Sequence, residues 1–130
     1  MATQRPQDEQ GMDLSREVTI DAALLARILD HGAFPLFVKN RHCRFVLVNQ
    51  AFCDLVGRTR EEMLGRSDPD FFPKEEADFF RAKDLEMFAT GEAQVIEAEP
   101  ITDAQGVRHL LATTKMPLRN AKGEVEFLVG

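Results

Sequence analysis

The sequence predicts an α+β domain in which a group of helices separates two β-strands from three more. Three observations lead to this prediction. A stretch of helical periodicity comes before the first strands, a run of capped helices follows them, and extended segments divided by polar turns fill the last third of the chain. The 130 residues, 44% of them hydrophobic, suffice for one domain with a real core, and no segment repeats.

The N-terminal part divides into two segments ahead of the domain. Residues 1–12 are polar and aperiodic, and we expect a flexible lead-in. Residues 13–32 predict an amphipathic helix, which Gly32 ends with a positive φ. The apolar residues that recur at helical spacing are Leu14, Val18, Leu25, Ile28 and Leu29. Residues 33–130 are then the folded domain.

The first half of that domain is predicted to be a hairpin followed by short helices. Extended segments at 35–39 and 44–48 are joined by a polar turn. Asn49 is suited to cap a helix over 50–56, because its side chain can accept hydrogen bonds from backbone N–H groups. Thr59 and Glu62 have capping-box spacing and predict one more helical turn.

The second half is predicted to be a long helix and three strands. Pro73 opens the helix, which runs to about Thr90 and has glutamates in its first turn, where they complement the helix dipole. Extended segments follow at 94–99, 107–118 and 124–129, and Asn-, Asp- and Gly-rich turns separate them.

Four stretches carry a resemblance to a known family: FVKN at 37–40, RFVLVNQAF at 44–52, GRTREEMLG at 57–65 and DPDFFP at 68–73. With Gly106 and Gly123 in the last turns, the chain resembles a PAS domain of the sensory-box type, as found in bacterial sensor histidine kinases of two-component systems and in cyclic-dinucleotide signalling proteins. The resemblance implies a PAS fold: a five-stranded antiparallel sheet in the order 2-1-5-4-3, with helices across one face around a small pocket. It also implies a homodimer through the N-terminal helix, and signal output to a fused C-terminal effector domain that this chain would lack.

Periodicity indicates which residues face that pocket. On the long helix, Asp84 lies on one stripe with four apolar residues, where its carboxylate can either cap backbone N–H groups or accept from a polar ligand. On β-strand 94–99, period-two alternation places Ile96 on the inner face and Glu97 and Glu99 on the outer face. On the next strand it places four residues together on the inner face: Leu110, Ala112, Thr114 and Met116. The predicted ligand-binding residues are Phe45, Leu47, Phe52, Leu55, Phe80, Asp84, Met87, Ile96, Leu110, Ala112, Thr114 and Phe127.

Several chemistries are disfavoured. A LOV-type flavin site would need an Asn-Cys-Arg-Phe-Leu-Gln stretch, and a haem-binding PAS domain usually presents a histidine from the long helix; the sequence has neither, so any cofactor is left unknown. Cys43 and Cys53 lack zinc-ligand spacing and are expected to be free thiols in a cytoplasmic protein. The net charge of −6 argues against nucleic acid and against a membrane surface. The sequence contains neither a Gly-rich phosphate loop nor a nucleophile–base motif, so we expect a protein that is not an enzyme.

Two functions from different classes stay open. One is a sensor that binds a small molecule in an internal pocket. The other is a dimerisation and relay module whose core is filled and binds nothing. A cavity lined by the predicted residues would favour the sensor, and mutual contact of those residues would favour the relay.

Overall fold

The computed structural model describes residues 20–130. A five-stranded antiparallel sheet in the order β2-β1-β5-β4-β3 confirms the predicted PAS fold. The elements, in chain order, are α1 Ala22–His31, β1 Phe37–Asn40, β2 Phe45–Val48, α2 Gln50–Val56, α3 Arg60–Met63, a 3-10 helix Asp68–Asp70, α4 Lys74–Thr90, β3 Gln94–Thr102, β4 Arg108–Arg119 and β5 Val125–Val129. The predicted lead-in and residues 13–19 of the predicted N-terminal helix lie outside the described residues.

The helix termini follow the capping chemistry that the sequence predicts. The Asn49 side chain accepts from Phe52 N at 3.0 Å, and Thr59 and Glu62 form a complete capping box at α3. Gly57 ends α2 with φ 77°, a left-handed conformation that glycine adopts without steric cost. Gly32, in contrast, has φ −64°, so the predicted positive φ at the end of α1 is wrong.

Asn49 also joins α1 to the domain. Its amide nitrogen donates to Leu29 O at 3.0 Å and to Phe34 O at 2.9 Å, while its oxygen also accepts from Leu36 N at 2.9 Å. One buried side chain therefore caps α2 and holds the C-terminal end of α1 and the segment leading into β1.

Helix α4 covers the inner face of the sheet. Its buried residues are those of the predicted stripe, namely Ala77, Phe80, Asp84, Met87 and Phe88. The core consists of two clusters, one around Phe45 and Phe52 and the other around Met87 and Leu128, and Phe37 packs against both. The helical periodicity thus identified the face of α4 correctly.

The alternation on β4 selected the wrong face. Leu110 is 70% exposed, Ala112 and Thr114 are also exposed, and Thr113 and Lys115 are buried instead. The prediction that Leu110, Ala112 and Thr114 face the interior is therefore wrong. The physical reason is that the outer face of β4 is the more apolar one, whereas a lysine and a threonine point into the domain.

A β-bulge changes the alternation on β3. Ile96 pairs with Thr113 and Glu99 with Leu111, so two residues of β3 oppose one residue of β4 between these pairs. Ile96 is half-buried on the inner side as predicted, but the bulge returns Glu99 to the same side, where it is 5% exposed. The prediction that Glu99 points outward is wrong for this reason.

The inward orientation predicted for Phe127 is also wrong. Leu128 is fully buried, and successive residues of a strand point to opposite faces. Phe127 pairs with Leu118, which is 51% exposed, and lies half-buried on the outer side of the sheet. A register shift between Leu118 and Arg119 places Val125 and Leu128 on the inner side together.

Candidate ligand-binding site

Helix α4 carries a buried carboxylate into a pair of lysines on the sheet. Asp84 Oδ2 accepts from Lys39 Nζ at 2.6 Å, and Asp84 Oδ1 accepts from Lys115 Nζ at 2.7 Å. Lys39 Nζ also donates to Asp68 Oδ2 at 2.6 Å, from the 3-10 helix. All four side chains are at least 96% buried, so these ion pairs are shielded from water and from salt.

A third carboxylate completes this charged cluster, which we define as Lys39, Asp68, Asp84, Glu99 and Lys115. Glu99 Oε2 lies 4.0 Å from Lys115 Nζ, beyond hydrogen-bonding distance. This oxygen is buried and has no hydrogen-bond partner among the described residues. When all five groups are ionised, three carboxylates face two ammonium groups, and the cluster carries one uncompensated negative charge.

The charged cluster borders an internal cavity of about 30 Å³. Glu99 and Lys115 line it together with aromatic and aliphatic side chains, and its volume corresponds to about two water molecules. The further lining residues are Phe37, Lys39, Phe45, Phe52, Asp68, Phe72, Phe80, Ile101, Leu111 and Thr113. The cavity lining thus combines apolar side chains with ionisable groups.

The aromatic wall is a connected set of rings. The centroids of Phe37 and Phe52 lie 5.1 Å apart, those of Phe45 and Phe52 5.8 Å, and those of Phe72 and Phe80 5.4 Å with perpendicular planes. Lys39 Nζ lies 4.9 Å from the centroid of Phe45, within cation–π distance. The rings therefore border the cavity and also stabilise one of the buried ammonium groups.

Burial and pairing act on the protonation of the charged cluster in opposite directions. Burial raises the pKa of the Glu99 carboxyl, and the Lys115 ammonium and the Thr113 hydroxyl only partly oppose this. Burial likewise raises the pKa of Asp68, which has one ammonium partner, more than Lys39 lowers it. For Lys39 burial alone would lower the pKa, but the carboxylates of Asp68 and Asp84 together outweigh it and raise the pKa. The buried lysine thus stays protonated, whereas Glu99 is the carboxyl with no hydrogen-bonded ammonium to hold its charge.

The predicted site residues fall into three groups. Phe45, Phe52 and Phe80 line the cavity, and Asp84 and Met87 are fully buried, although Met87 belongs to the second core cluster. Ile96 and Leu55 are half-buried and absent from the lining, and Leu47 is half-buried on the side of α1, where it borders a groove with Leu29. The third group lies on the outer side of the sheet and consists of Leu110, Ala112, Thr114 and the half-buried Phe127.

Both oxygens of Asp84 accept hydrogen bonds from lysine side chains, not from the backbone N–H groups that the sequence suggested as one alternative. The other alternative, a contact with a polar ligand, stays a prediction. The sequence interpretation missed Lys39, Lys115 and Glu99 altogether. A usable signal existed for Lys39, which shares an inward phase with Phe37 on β1. For Lys115 and Glu99, the dominant apolar alternation of their strands pointed the other way.

The described part of the chain holds neither a candidate metal site nor a candidate membrane span. Residues 20–130 hold no group of three or more His, Cys, Asp or Glu side chains that could bind a metal ion. Within the same range, no helix combines the length and the apolar character needed to cross a bilayer.

A five-stranded antiparallel sheet with helices packed over one face, around an internal cavity, defines a class of small sensory domains. The chain belongs to this class by sequence as well: a family model described as PAS fold matches residues 29–130, and the chain is a member of the PAS family. Domains of this family are typically sensory rather than catalytic, and the chain is a sensory signalling module. No curated protein matches it.

Solved structures support the fold. An RNA-binding light-oxygen-voltage receptor is 22% identical with a TM-score of 0.71, and the match covers 87% of this chain and 34% of that one. The Vibrio cholerae VqmA dimer is 24% identical with a TM-score of 0.69, covering 85% and 50%. The PAS domain of Bordetella pertussis BvgS is 19% identical with a TM-score of 0.56, covering 83% and 79%. The chain thus spans about a third of the receptor and half of VqmA.

Proposed function

We propose that this PAS module senses a small molecule in its internal cavity and passes the signal to an effector domain attached after β5. The observation that carries the proposal is the composition of the cavity lining, which includes both phenylalanine rings and a buried carboxylate oxygen of Glu99 without a hydrogen-bond partner among the described residues. Such an acceptor needs a hydrogen-bond donor from within the cavity, because its desolvation is otherwise uncompensated. The structure of VqmA bound to DPO has been solved, and in that structure VqmA is 25% identical in sequence to this chain.

A path for the signal runs from the cavity to the end of β5. Phe37 lines the cavity and packs against both core clusters. Its backbone is paired with Gly130 in both directions, at 2.9 Å for Phe37 N to Gly130 O and 2.8 Å for Gly130 N to Phe37 O. A Cβ atom added to Gly130 would collide with the Phe37 ring. A ligand that shifts Phe37 therefore acts directly on the residue through which the chain leaves the sheet.

The second candidate is a ligand-free relay, and the small size of the cavity favours it. A volume of about 30 Å³ holds roughly two waters and no larger molecule without movement of the walls. In this case the module would transmit changes in its dimer or in its N-terminal helix through a filled core.

Native mass spectrometry of the purified chain separates these two functions. We expect an additional mass that is lost when the same sample is denatured. A cavity-filling substitution, Leu111→Phe, should abolish the additional mass, whereas Leu110→Phe on the exposed face of the same strand should leave it unchanged. A protein mass without any adduct, together with a simple overpacking loss of about 1–3 kcal/mol in Leu111→Phe, would favour the relay.

We also propose a homodimer through α1 as part of this function. No residue of α1 is buried, and Leu25 and Ile28 are 48% and 50% exposed on adjacent turns. An exposed apolar stripe of this kind gains free energy by pairing with a second copy. Sedimentation at tens of micromolar, roughly the range of a modest interface, should give a dimer that Leu25→Glu converts to a monomer while Arg27→Glu does not. A monomeric wild-type chain would contradict this assembly.

The remaining parts of the proposal concern location and chemistry. We propose a non-catalytic role and a cytoplasmic location, the latter supported by the free thiols of the buried Cys43 and Cys53. The domain limits are part of the same proposal, with residues 13–32 as the N-terminal helix and 33–130 as the PAS domain.

A further inference from the structure

We infer that the cavity selects a small organic cation, such as a primary ammonium or amidinium head group, whose N–H donors bind Glu99 and whose apolar part lies against the phenylalanine rings. This inference rests on the proposed function, since it names the ligand class for the same cavity. It also requires the walls to move on binding, because the cavity of about 30 Å³ holds only about two waters. Three properties of the lining lead to it: the hydrogen-bonding capacity that is left over, the net charge and the aromatic wall.

The first property is the capacity for hydrogen bonding that remains. Both lysines are already engaged, Lys39 by two carboxylates at 2.6 Å each and Lys115 by Asp84 at 2.7 Å and by Phe80 O at 3.5 Å. An anionic ligand could use at most the third N–H of each ammonium, and it would lie close to the carboxylates that the lysines already bind. Glu99 Oε2, by contrast, is an acceptor without a partner among residues 20–130, and a ligand that donates a hydrogen bond satisfies it without breaking any contact.

Glu99 differs in this respect from the other buried polar atoms without partners in the described chain. The two others are Arg58 Nε and Gln94 Oε1, and neither residue lines the cavity. Glu99, in contrast, is only 5% exposed and lines the cavity. Among the side chains of residues 20–130, it is therefore the one that offers an unsatisfied buried polar atom to a molecule in this cavity.

The second property is charge. Among the described residues, the groups that face the cavity from the surrounding elements are Lys39, Asp68, Glu99 and Lys115, and Asp84 lies directly behind the lysines. Their sum in the ionised state is one negative charge, so a monovalent cation neutralises the cluster and an anion increases the imbalance. The cation also favours the ionised form of Glu99, which burial disfavours in the empty cavity.

The third property is the aromatic part of the lining. The rings of Phe37, Phe45 and Phe52 form a connected aromatic surface, and a cation or its alkyl substituents can pack on such rings. Lys39 already uses two of these rings in this way, at 4.9 and 5.3 Å from their centroids. The wall is thus compatible with positive charge as well as with an apolar body.

Three probes of nearly equal shape test the ligand class: acetamidinium, acetamide and acetate. Each has a methyl group on a planar sp² carbon, and they are cationic, neutral and anionic, respectively. We expect millimolar acetamidinium to shift the backbone amide resonances of the cavity strands in ¹H–¹⁵N spectra of the full chain, and acetate to shift none of them. Glu99→Gln should weaken acetamidinium binding roughly 10- to 100-fold, the effect of losing a charge-assisted hydrogen bond. The matched control is Glu97→Gln, an exposed position on the same strand, which should bind like wild type.

The other outcomes separate this inference from the proposed function. Binding of acetate or acetamide in the cavity at an affinity equal to that of acetamidinium would overturn the cationic class and leave the cavity as a ligand site. Absence of binding by all three probes would overturn the cationic class as well, and a retained adduct in native mass spectrometry would then still support a sensor. Equal binding of acetamidinium to wild type and Glu99→Gln would remove Glu99 from the recognition site.

Discussion

Removing the Asp84 carboxylate should destabilise the domain far more than removing any exposed carboxylate. Asp84→Ala takes one partner from Lys39, which keeps Asp68. It also takes the close carboxylate from Lys115, which keeps Phe80 O at 3.5 Å and Glu99 at 4.0 Å. Breaking a buried ion pair from one side typically costs about 3–5 kcal/mol, because a charge is left without compensation in the interior. Domains of this kind have total stabilities of about 5–15 kcal/mol, so the loss is a large part of the whole.

Urea denaturation followed by far-UV circular dichroism measures this loss. The chain contains neither Trp nor Tyr, so intrinsic fluorescence offers no useful alternative. With a slope of about 1–3 kcal/mol per molar urea, the midpoint should fall by roughly 2 M. Asp78→Ala on the same helix is the matched control: Asp78 pairs with Lys74, but their side chains are 62% and 86% exposed, and the expected change is below about 0.5 kcal/mol.

A double substitution separates charge from packing. In Asp84→Leu with Lys115→Met, both the carboxylate and the ammonium that depends on it are replaced by apolar groups of similar size. Such replacements of buried ion pairs are often neutral or stabilising, so the double variant should recover at least half of the loss seen in Asp84→Ala. An Asp84→Ala variant as stable as Asp78→Ala would refute the reasoning, since Asp84 would then contribute no more than a surface ion pair.

Three further predictions concern single positions. Asn49→Ala should cost about 1–3 kcal/mol, because it leaves N–H and C=O groups of α1, α2 and the β1 entry unpaired. Asn49→Asp should recover the bonds accepted from Phe52 N and Leu36 N but not those donated to Leu29 O and Phe34 O, and melts of both variants test this. Glu99 has a pKa raised above its ordinary 4.5, so the folded state binds this proton more tightly, and stability falls as pH rises from 4.5 through the folded pKa. Urea midpoints of wild type relative to Glu99→Gln should therefore decline over this window, and a pH-independent difference would show that the carboxyl is not perturbed. Leu111→Ala should destabilise by at least about 1 kcal/mol and Leu110→Ala by less than about 0.5, and equal losses in thermal melts would contradict the assigned faces of β4.

The helical elements could be predicted closely from sequence because their signals are local. Asn49, Thr59 and Glu62 cap helices through contacts three residues apart, and these appear in the structure as expected. The stripe on α4 was also identified correctly, since a helix with one buried face repeats its apolar residues over several turns.

The inner face of the sheet could not be assigned from alternation alone. Alternation shows which residues of a strand share a face. It identifies the buried face only when that face is apolar and the solvated face is polar. On β4 the outer face carries Leu110, Met116 and Leu118, each more than half exposed, while the inner face carries Lys115. On β3 the bulge before Glu99 reverses the phase partway along the strand, and no residue in its sequence signals this.

The charged cluster is hard to explain as a device for stability. It joins side chains from β1, the 3-10 helix, α4, β3 and β4, five elements that are distant in sequence. Buried ion pairs contribute little net stability compared with apolar side chains of the same size, and an unpartnered carboxylate oxygen such as that of Glu99 opposes folding. An apolar core, which the ten phenylalanines could help to build, would hold α4 on the sheet at a lower free-energy cost. What the cluster adds is a fixed arrangement of charge next to a cavity, with one acceptor left open. An arrangement of this kind is typical of small-molecule sites, in which a few placed polar groups stand among apolar side chains.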